Sequence, residues 1–293
     1  MREKSNTHFP QNQCSDYQNP KDKYLDTNGL KLHYIDWGNN EQHPMVLLHG
    51  FLSHAHTWDN FAERFRTNFR IIALDQRGHG ESQWSRHVSY TIDDHYSDIY
   101  NIINILNLIK PILIGHSMGG RNAILYTACT NNVERLVLID ARPGSNTEGS
   151  IALQELVENL PHVADSIDEI VFIVRTIYPY LSEESCCDIV KHGFVQRPDK
   201  KYIPMYDTRM MQQSKGAGYI AEDLRPFLHN ISCPTLILRG EESSFLTRKE
   251  ADEMCRIIPK ADWMEIPKST HMPMQENPEA FIRLVSNFLK ITI

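Results

Sequence analysis

No apolar run in this 293-residue chain approaches the roughly 18 residues that cross a bilayer, because Asn104, Asn107 and Lys110 interrupt the best candidate, between Ile99 and Gly115. Positive charge is in deficit: 30 Lys and Arg stand against 37 Asp and Glu, a net charge of −7, so the chain has no general attraction for nucleic acid or an anionic membrane surface. Cysteine is sparse and scattered. The six residues (Cys14, Cys129, Cys186, Cys187, Cys233, Cys255) form no C-x-x-C pair and have no metal-ligand spacing to histidine, so reduced thiols and no metal are expected. The first 28 residues are polar and lack the apolar stretch of a secretory leader, which makes the cytoplasm the default location. No repeat or low-complexity tract is evident. What remains is an enzyme or binding protein with 41% hydrophobic residues, enough for a substantial core.

Short β-branched or aliphatic runs alternate with amphipathic stretches, the signature of βα repetition around a mostly parallel sheet. An antiparallel pair comes first, since Lys23 to Leu25 and Leu30 to Trp37 flank Asn28-Gly29, a dipeptide that accepts the positive φ angles of a tight hairpin. Parallel strands are expected at Met45 to Leu48, Arg70 to Leu74, Ile112 to Ile114, Leu136 to Ile139, Thr235 to Leu238 and Asp262 to Ile266. Helices are expected at Thr57 to Arg66, Ile92 to Leu108, Gly119 to Thr130, Thr247 to Ile257 and Pro278 to Leu289. Far more residues separate Asp140 from Thr235 than one crossover requires. This predicts a mobile N-terminal extension over 1–22, a core made of 23–141 and 231–293, and a helical cap over 142–230, with helices at Ile151 to Leu160, Ile167 to Ile177 and Glu183 to His192.

The strongest local signal is Gly115-His116-Ser117-Met118-Gly119, a G-x-S-x-G between an apolar strand and an amphipathic helix. A strand that turns sharply into a helix forces the intervening residue into a strained conformation and holds Ser117 out at the sheet's C-terminal edge. The helix that follows aims its free N–H groups at a developing oxyanion. Three other motifs lie in order around it: His49-Gly50-Phe51, Asp75 to Ser82, and Thr270-His271-Met272-Pro273 ahead of Glu276-Asn277-Pro278.

With these four motifs the sequence resembles the α/β-hydrolase superfamily, in the capped branch that includes small esterases, thioesterases, haloperoxidase-like and dehalogenase-like enzymes. The resemblance covers about Asn28 to Phe288. It implies an α/β-hydrolase fold with a mostly parallel eight-stranded sheet and a cap inserted after the strand at Leu136 to Ile139. It also implies Ser117 as nucleophile, His271 as base, and the backbone N–H groups of Phe51 and Met118 as an oxyanion hole; Asp75 to Ser82 is expected to form a structural turn. Serine at the elbow speaks against the haloalkane dehalogenases and epoxide hydrolases of this branch, which use aspartate there.

The acid is where this chain departs from its relatives. Such hydrolases commonly carry it in a G-x-x-D turn after the strand placed here at Thr235 to Leu238, but this chain reads Gly240-Glu241-Glu242-Ser243. A neutral serine cannot stabilise an imidazolium. Asp140, at the end of the preceding strand, is the expected acid, with Glu241 or Glu242 as the alternative. The expected activity is cofactor-free hydrolysis of carboxylic esters of small to medium, fairly apolar acyl compounds. Met272, Tyr178 and Met205 are the expected substrate contacts, supported by Met274, Phe172, Tyr180, Tyr202, Tyr206, Met210 and Met211. The competing reading of these side chains is that they only pack the cap. A thioesterase or carbon–carbon bond hydrolase with the same three residues is the alternative activity, and a hydrolase-like sensor that only binds ligand is the alternative of another class. The oligomeric state is left open.

Overall fold

The computed structural model describes residues 19–144, 160–210 and 222–293. The expected helix at Ile151 to Leu160, Met211 and most of the N-terminal extension lie outside them. The chain builds an eight-stranded sheet: β1 (Lys21–Thr27), β2 (Leu30–Asp36), β3 (His43–Leu48), β4 (Phe69–Leu74), β5 (Ile112–His116), β6 (Arg135–Ile139), β9 (Thr235–Gly240) and β10 (Ala261–Ile266), in the order β1-β2-β4-β3-β5-β6-β9-β10. β2 runs antiparallel to β1 and β4, and every other pairing is parallel. The Asn28-Gly29 hairpin forms as expected, with both residues at positive φ.

The central strands are continuous apolar runs because both faces of the sheet are covered. In β4, Ile72 and Leu74 join one buried cluster while Ile71 and Ala73 join the other; in β3, Val46 and Leu48 part in the same way from Met45 and Leu47. This two-residue alternation divides the core between α2 (Ile92–Ile105), α3 (Met118–Thr130) and α6 (Arg248–Ile257) on one side, and α1 (Asp59–Phe65) and α8 (Pro278–Leu289) on the other. Ile114, Leu47 and Leu113 are fully buried; each such side chain contributes about 2 kcal/mol relative to exposure. The helix starts are encoded locally. Thr91 with Asp94 and Thr247 with Glu250 form reciprocal capping boxes, and Asn277 caps α8 with Pro278 in its first turn.

Between β6 and β9 the described chain holds α4 (Ile167–Ile177) and α5 (Glu183–Gly193), at the places read from the sequence. This segment is not wholly helical, however. A hairpin of β7 (Phe194–Gln196) and β8 (Tyr202–Pro204) follows α5, and strands of three residues are too short to carry a periodic signal. A one-turn helix, α7 (Pro273–Glu276), and the 3₁₀ turns Ala55–Trp58 and Arg225–Asn230 also escaped the pattern reading.

Candidate functional site

At the end of β5 the chain must turn into α3 within one residue, and Ser117 takes φ 49° and ψ −114° to do so. Its amide donates to the Ile139 carbonyl (2.9 Å), tying the turn to β6. The flanking glycines are required by proximity: a Cβ on Gly115 would lie 2.4 Å from the Gly119 carbonyl oxygen, and one on Gly119 would lie 2.4 Å from that of Leu48. α3 therefore starts against β3 and β5 with no room for a methyl group.

His271 arrives from the loop after β10. Its Nε2 lies 3.0 Å from Ser117 Oγ and its Nδ1 lies 2.6 Å from Asp140 Oδ2. A carboxylate clamp holds this loop. Glu276 accepts from the Thr270 amide (2.7 Å), the Thr270 hydroxyl (2.8 Å) and the Met272 amide (3.2 Å), fixing the chain on both sides of His271. His116, the variable residue of the elbow motif, donates from Nε2 to the His271 carbonyl (2.7 Å). Phe245 stacks on the imidazole, ring centres 3.6 Å apart and planes 15° apart. None of these three supports was read from the sequence. The available signals were a polar residue at a buried strand end, a carboxylate five residues beyond the histidine, and an aromatic after an acid-position serine.

Asp140 ends β6 at φ 45°, with its amide bonded to the Leu238 carbonyl (2.7 Å), and its side chain is fully buried. Ser243, at the family's usual acid position, does not reach His271; its hydroxyl donates to Asp140 Oδ2 (2.5 Å). The alternative acids face elsewhere: Glu242 accepts from the Tyr180 hydroxyl (2.5 Å) and Glu241 from the Lys268 amide (3.1 Å). Burial pushes the Asp140 carboxyl up to about 7, opposed by the Ser243 hydroxyl and by the Arg239 charge. Burial, aided by the Arg142 charge, pulls His271 far below the usual imidazole range, so its Nε2 is free to accept a proton at neutral pH.

Met118 is the first residue of α3, so its amide has no carbonyl a turn earlier to bond. Gly50 brings the Phe51 loop against the elbow, since a Cβ there would lie 2.6 Å from His116 Nδ1 and 3.4 Å from Ser117 Cβ. Two buried histidines hold this loop. His49 accepts the Gln76 amide on Nε2 (2.9 Å), which puts its proton on Nδ1, toward the Gly50 carbonyl (2.7 Å). His79 accepts the Leu52 amide on Nε2 (3.2 Å) and donates from Nδ1 to the Arg77 carbonyl (3.0 Å). Burial lowers both imidazoles, to about 3 and about 4, so both stay neutral. Asp75 is a turn residue, accepting from the Ala55 (2.6 Å) and Glu81 (2.9 Å) amides beside His33 Nδ1 (2.7 Å).

The expected substrate contacts part company. Tyr178 packs on both the sheet's buried cluster and the small cluster of the 160–210 segment. Met272 is 6% exposed within the sheet's cluster, which also contains Met274. Met205 is half-buried where its amide donates to the Gly193 carbonyl (2.8 Å). Phe172, by contrast, is 73% exposed and faces solvent.

Comparison with known proteins bears on the fold and the family. The chain is 28% identical over 246 residues to a 2-(acetamidomethylene)succinate hydrolase of Mesorhizobium japonicum, covering 84% of this chain and 87% of that protein. It is 28% identical over 268 residues to an sn-1-specific diacylglycerol lipase of Danio rerio, covering 86% and 80% respectively. The crystal structure of E-2-(acetamidomethylene)succinate hydrolase superposes with a TM-score of 0.84 at 26% identity, over 93% of this chain and 100% of that one. The alpha/beta hydrolase family model matches residues 45–284, so the chain belongs to the alpha/beta hydrolase family and is a hydrolase of that fold.

Proposed function

We propose that the protein is a serine hydrolase that cleaves carboxylic esters of small to medium, fairly apolar acyl compounds through an acyl-enzyme. The observation that carries this reading is the relay in which His271 Nε2 stands 3.0 Å from Ser117 Oγ while Nδ1 stands 2.6 Å from Asp140. Neutral His271 takes the Ser117 proton as Oγ attacks the acyl carbon, and Asp140 stabilises the imidazolium that forms. The amides of Phe51 and Met118 receive the oxyanion. The imidazolium returns its proton to the departing alcohol, and water activated by the same imidazole then releases the acid. These steps are complete with the named groups and water. In this reading residues 142–230 form a cap, with Tyr178, Met205 and Met272 as candidates to border the acyl group.

Repeated turnover of p-nitrophenyl esters, set against a matched thioester series, tests the proposal. Ester turnover should exceed thioester turnover. Ser117→Ala should lower kcat by more than about 10³-fold, as triad losses do. A single slow turnover would make the protein a ligand binder, faster thioester cleavage would make it a thioesterase, and a folded Ser117→Ala protein retaining a tenth of wild-type kcat would remove Ser117 from the chemistry.

A further inference from the structure

A second cluster of ligand-type side chains shares no residue with the site above. His56 lies on the 3₁₀ turn Ala55–Trp58, Asp59 opens α1, and His192 lies in the last turn of α5, so the cluster joins the sheet's flank to the segment between β6 and β9. One ligand atom from each residue can be chosen so that all three lie within 4.8 Å of one another. His56 Nδ1 and Asp59 Oδ2 are 2.9 Å apart, and the His56 and His192 rings stack with centres 3.8 Å apart and planes 25° apart. Ligands bound at about 2.0–2.1 Å in a tetrahedral shell stand about 3.3 Å from one another. The His56–Asp59 pair lies just inside that spacing, and binding an ion would turn one imidazole out of the stack so that both ring planes point at it.

We propose that His56, Asp59 and His192 form a binding site for one divalent transition-metal ion, of which zinc is the type, that fastens α5 to the start of α1. Imidazole suits zinc, copper, iron and nickel, and two imidazoles with one carboxylate are a set that zinc takes with water in the fourth position, whereas magnesium prefers oxygen alone. The chain supplies three ligands and leaves the fourth position to water. All three residues are partly exposed, so an ion can enter from solvent. An ion pair between His56 and Asp59 accounts for those two residues, three apart in sequence. It does not account for a second imidazole laid on the first from a helix more than 130 positions away. A third imidazole reinforces the convergence: His54 is 4% exposed, its ring centre is 6.2 Å from that of His56 and 6.1 Å from that of His192, and its Nδ1 has no partner among the described residues. Its Nε2 pairs with the Ile189 carbonyl (3.1 Å), so His54 lies beneath the site and is not counted among its ligands.

The test is calorimetric titration of chelator-treated full-length protein with zinc chloride, copper chloride and magnesium chloride, followed by thermal melting. The expected result is one zinc per chain with micromolar affinity, tighter copper binding in line with the general order for such sites, and no magnesium binding. His192→Ala and His56→Ala should each weaken zinc by roughly thirtyfold, and Asp59→Asn should weaken it less. Zinc should raise the melting temperature of the wild type and not that of His192→Ala. The absence of saturable one-to-one binding overturns the proposal, and so does zinc affinity left unchanged by both histidine substitutions. Asp59→Asn, which keeps side-chain size, decides the matter should a histidine variant fail to fold. Ester turnover plays no part in these readouts, so failure here leaves the reading of Ser117 and His271 standing.

Discussion

At the scale of single residues, Asp140 carries the sharpest expectation. The amide of Asp140→Asn can hold His271 in the wrong tautomer and cannot stabilise the imidazolium, and such a change in a serine-protease triad lowers kcat by about 10⁴. A comparable loss is expected here, with Glu241→Gln and Glu242→Gln close to wild type, because those carboxylates bond Lys268 and Tyr180 instead. Kinetics of the three purified variants decide it. Ser243 adds a pH signature. Its hydroxyl lowers the Asp140 carboxyl against the upward push of burial, which leaves that group near 7. The proposed mechanism needs Asp140 ionised, so the acid limb of kcat/KM should fall near that pH in the wild type. Ser243→Ala should move the limb to higher pH, with a larger loss at pH 6.5 than at pH 9. An unmoved limb would show that the hydroxyl does not tune the acid. The pairing of Asp140 with His271 was legible in the sequence because two facts met: the usual acid position holds serine, and the neighbouring strand ends in aspartate. Phe245, His116 and Glu276 were not legible, because stacking and carbonyl bonds to a histidine depend on loops meeting in space and leave no spacing rule in the chain.

At the scale of elements, the elbow between β5 and α3 stores strain that can be measured. Ser117 has φ 49°, a region that costs a residue with a Cβ roughly 1–2 kcal/mol. Ser117→Gly and Ser117→Ala should both be inactive, yet the glycine variant should be the more stable by about 1 kcal/mol in denaturant unfolding. Were the elbow relaxed, glycine would instead be the less stable through its greater unfolded-state entropy. Gly119→Ala should act in the opposite direction. Its methyl would meet the Leu48 and His49 carbonyl oxygens at 2.4 and 2.6 Å, backbone atoms that cannot rotate aside, so a loss near the upper end of the 1–3 kcal/mol typical of overpacking is expected. The same geometry explains why the long elements were legible and the short ones were not. Strands covered on both faces read as apolar runs, and α2, α6 and α8 announce their starts with caps, whereas β7 and β8 pair for three residues with no pattern to detect.

At the scale of the whole molecule, the segment between β6 and β9 is a layer with a small interior of its own, and its attachment to the sheet determines what it can do. Ala164, Ile170, Val174, Leu181, Cys186 and Val190 form that interior, while Tyr178 and Ile189 pack on both it and the sheet's cluster. Among the described residues, polar ties to the sheet side include the His54–Ile189 and Tyr180–Glu242 bonds and a group around Asp207. Asp207, fully buried, accepts from the Tyr90 hydroxyl (2.5 Å) and is paired by Arg209, while its amide donates to the Gly78 carbonyl (2.8 Å). Two substitutions separate selectivity from anchoring in the proposed cap. Tyr178→Ala removes the ring that bridges the two interiors, packing on the cluster that holds Met272 and Met274. It should shift the preferred p-nitrophenyl ester toward longer acyl chains and leave kcat for the shortest within about threefold. Asp207→Ala lies at the anchor, so it should change KM and kcat together for every chain length, as hinge and lid substitutions do. Tm should also fall, because Arg209 and Tyr90 lose a buried partner. A Tyr178→Ala enzyme with the wild-type chain-length profile would show that this layer does not select the acyl group, and the selecting surface would then have to be sought on the sheet side, around Phe51 and Met118.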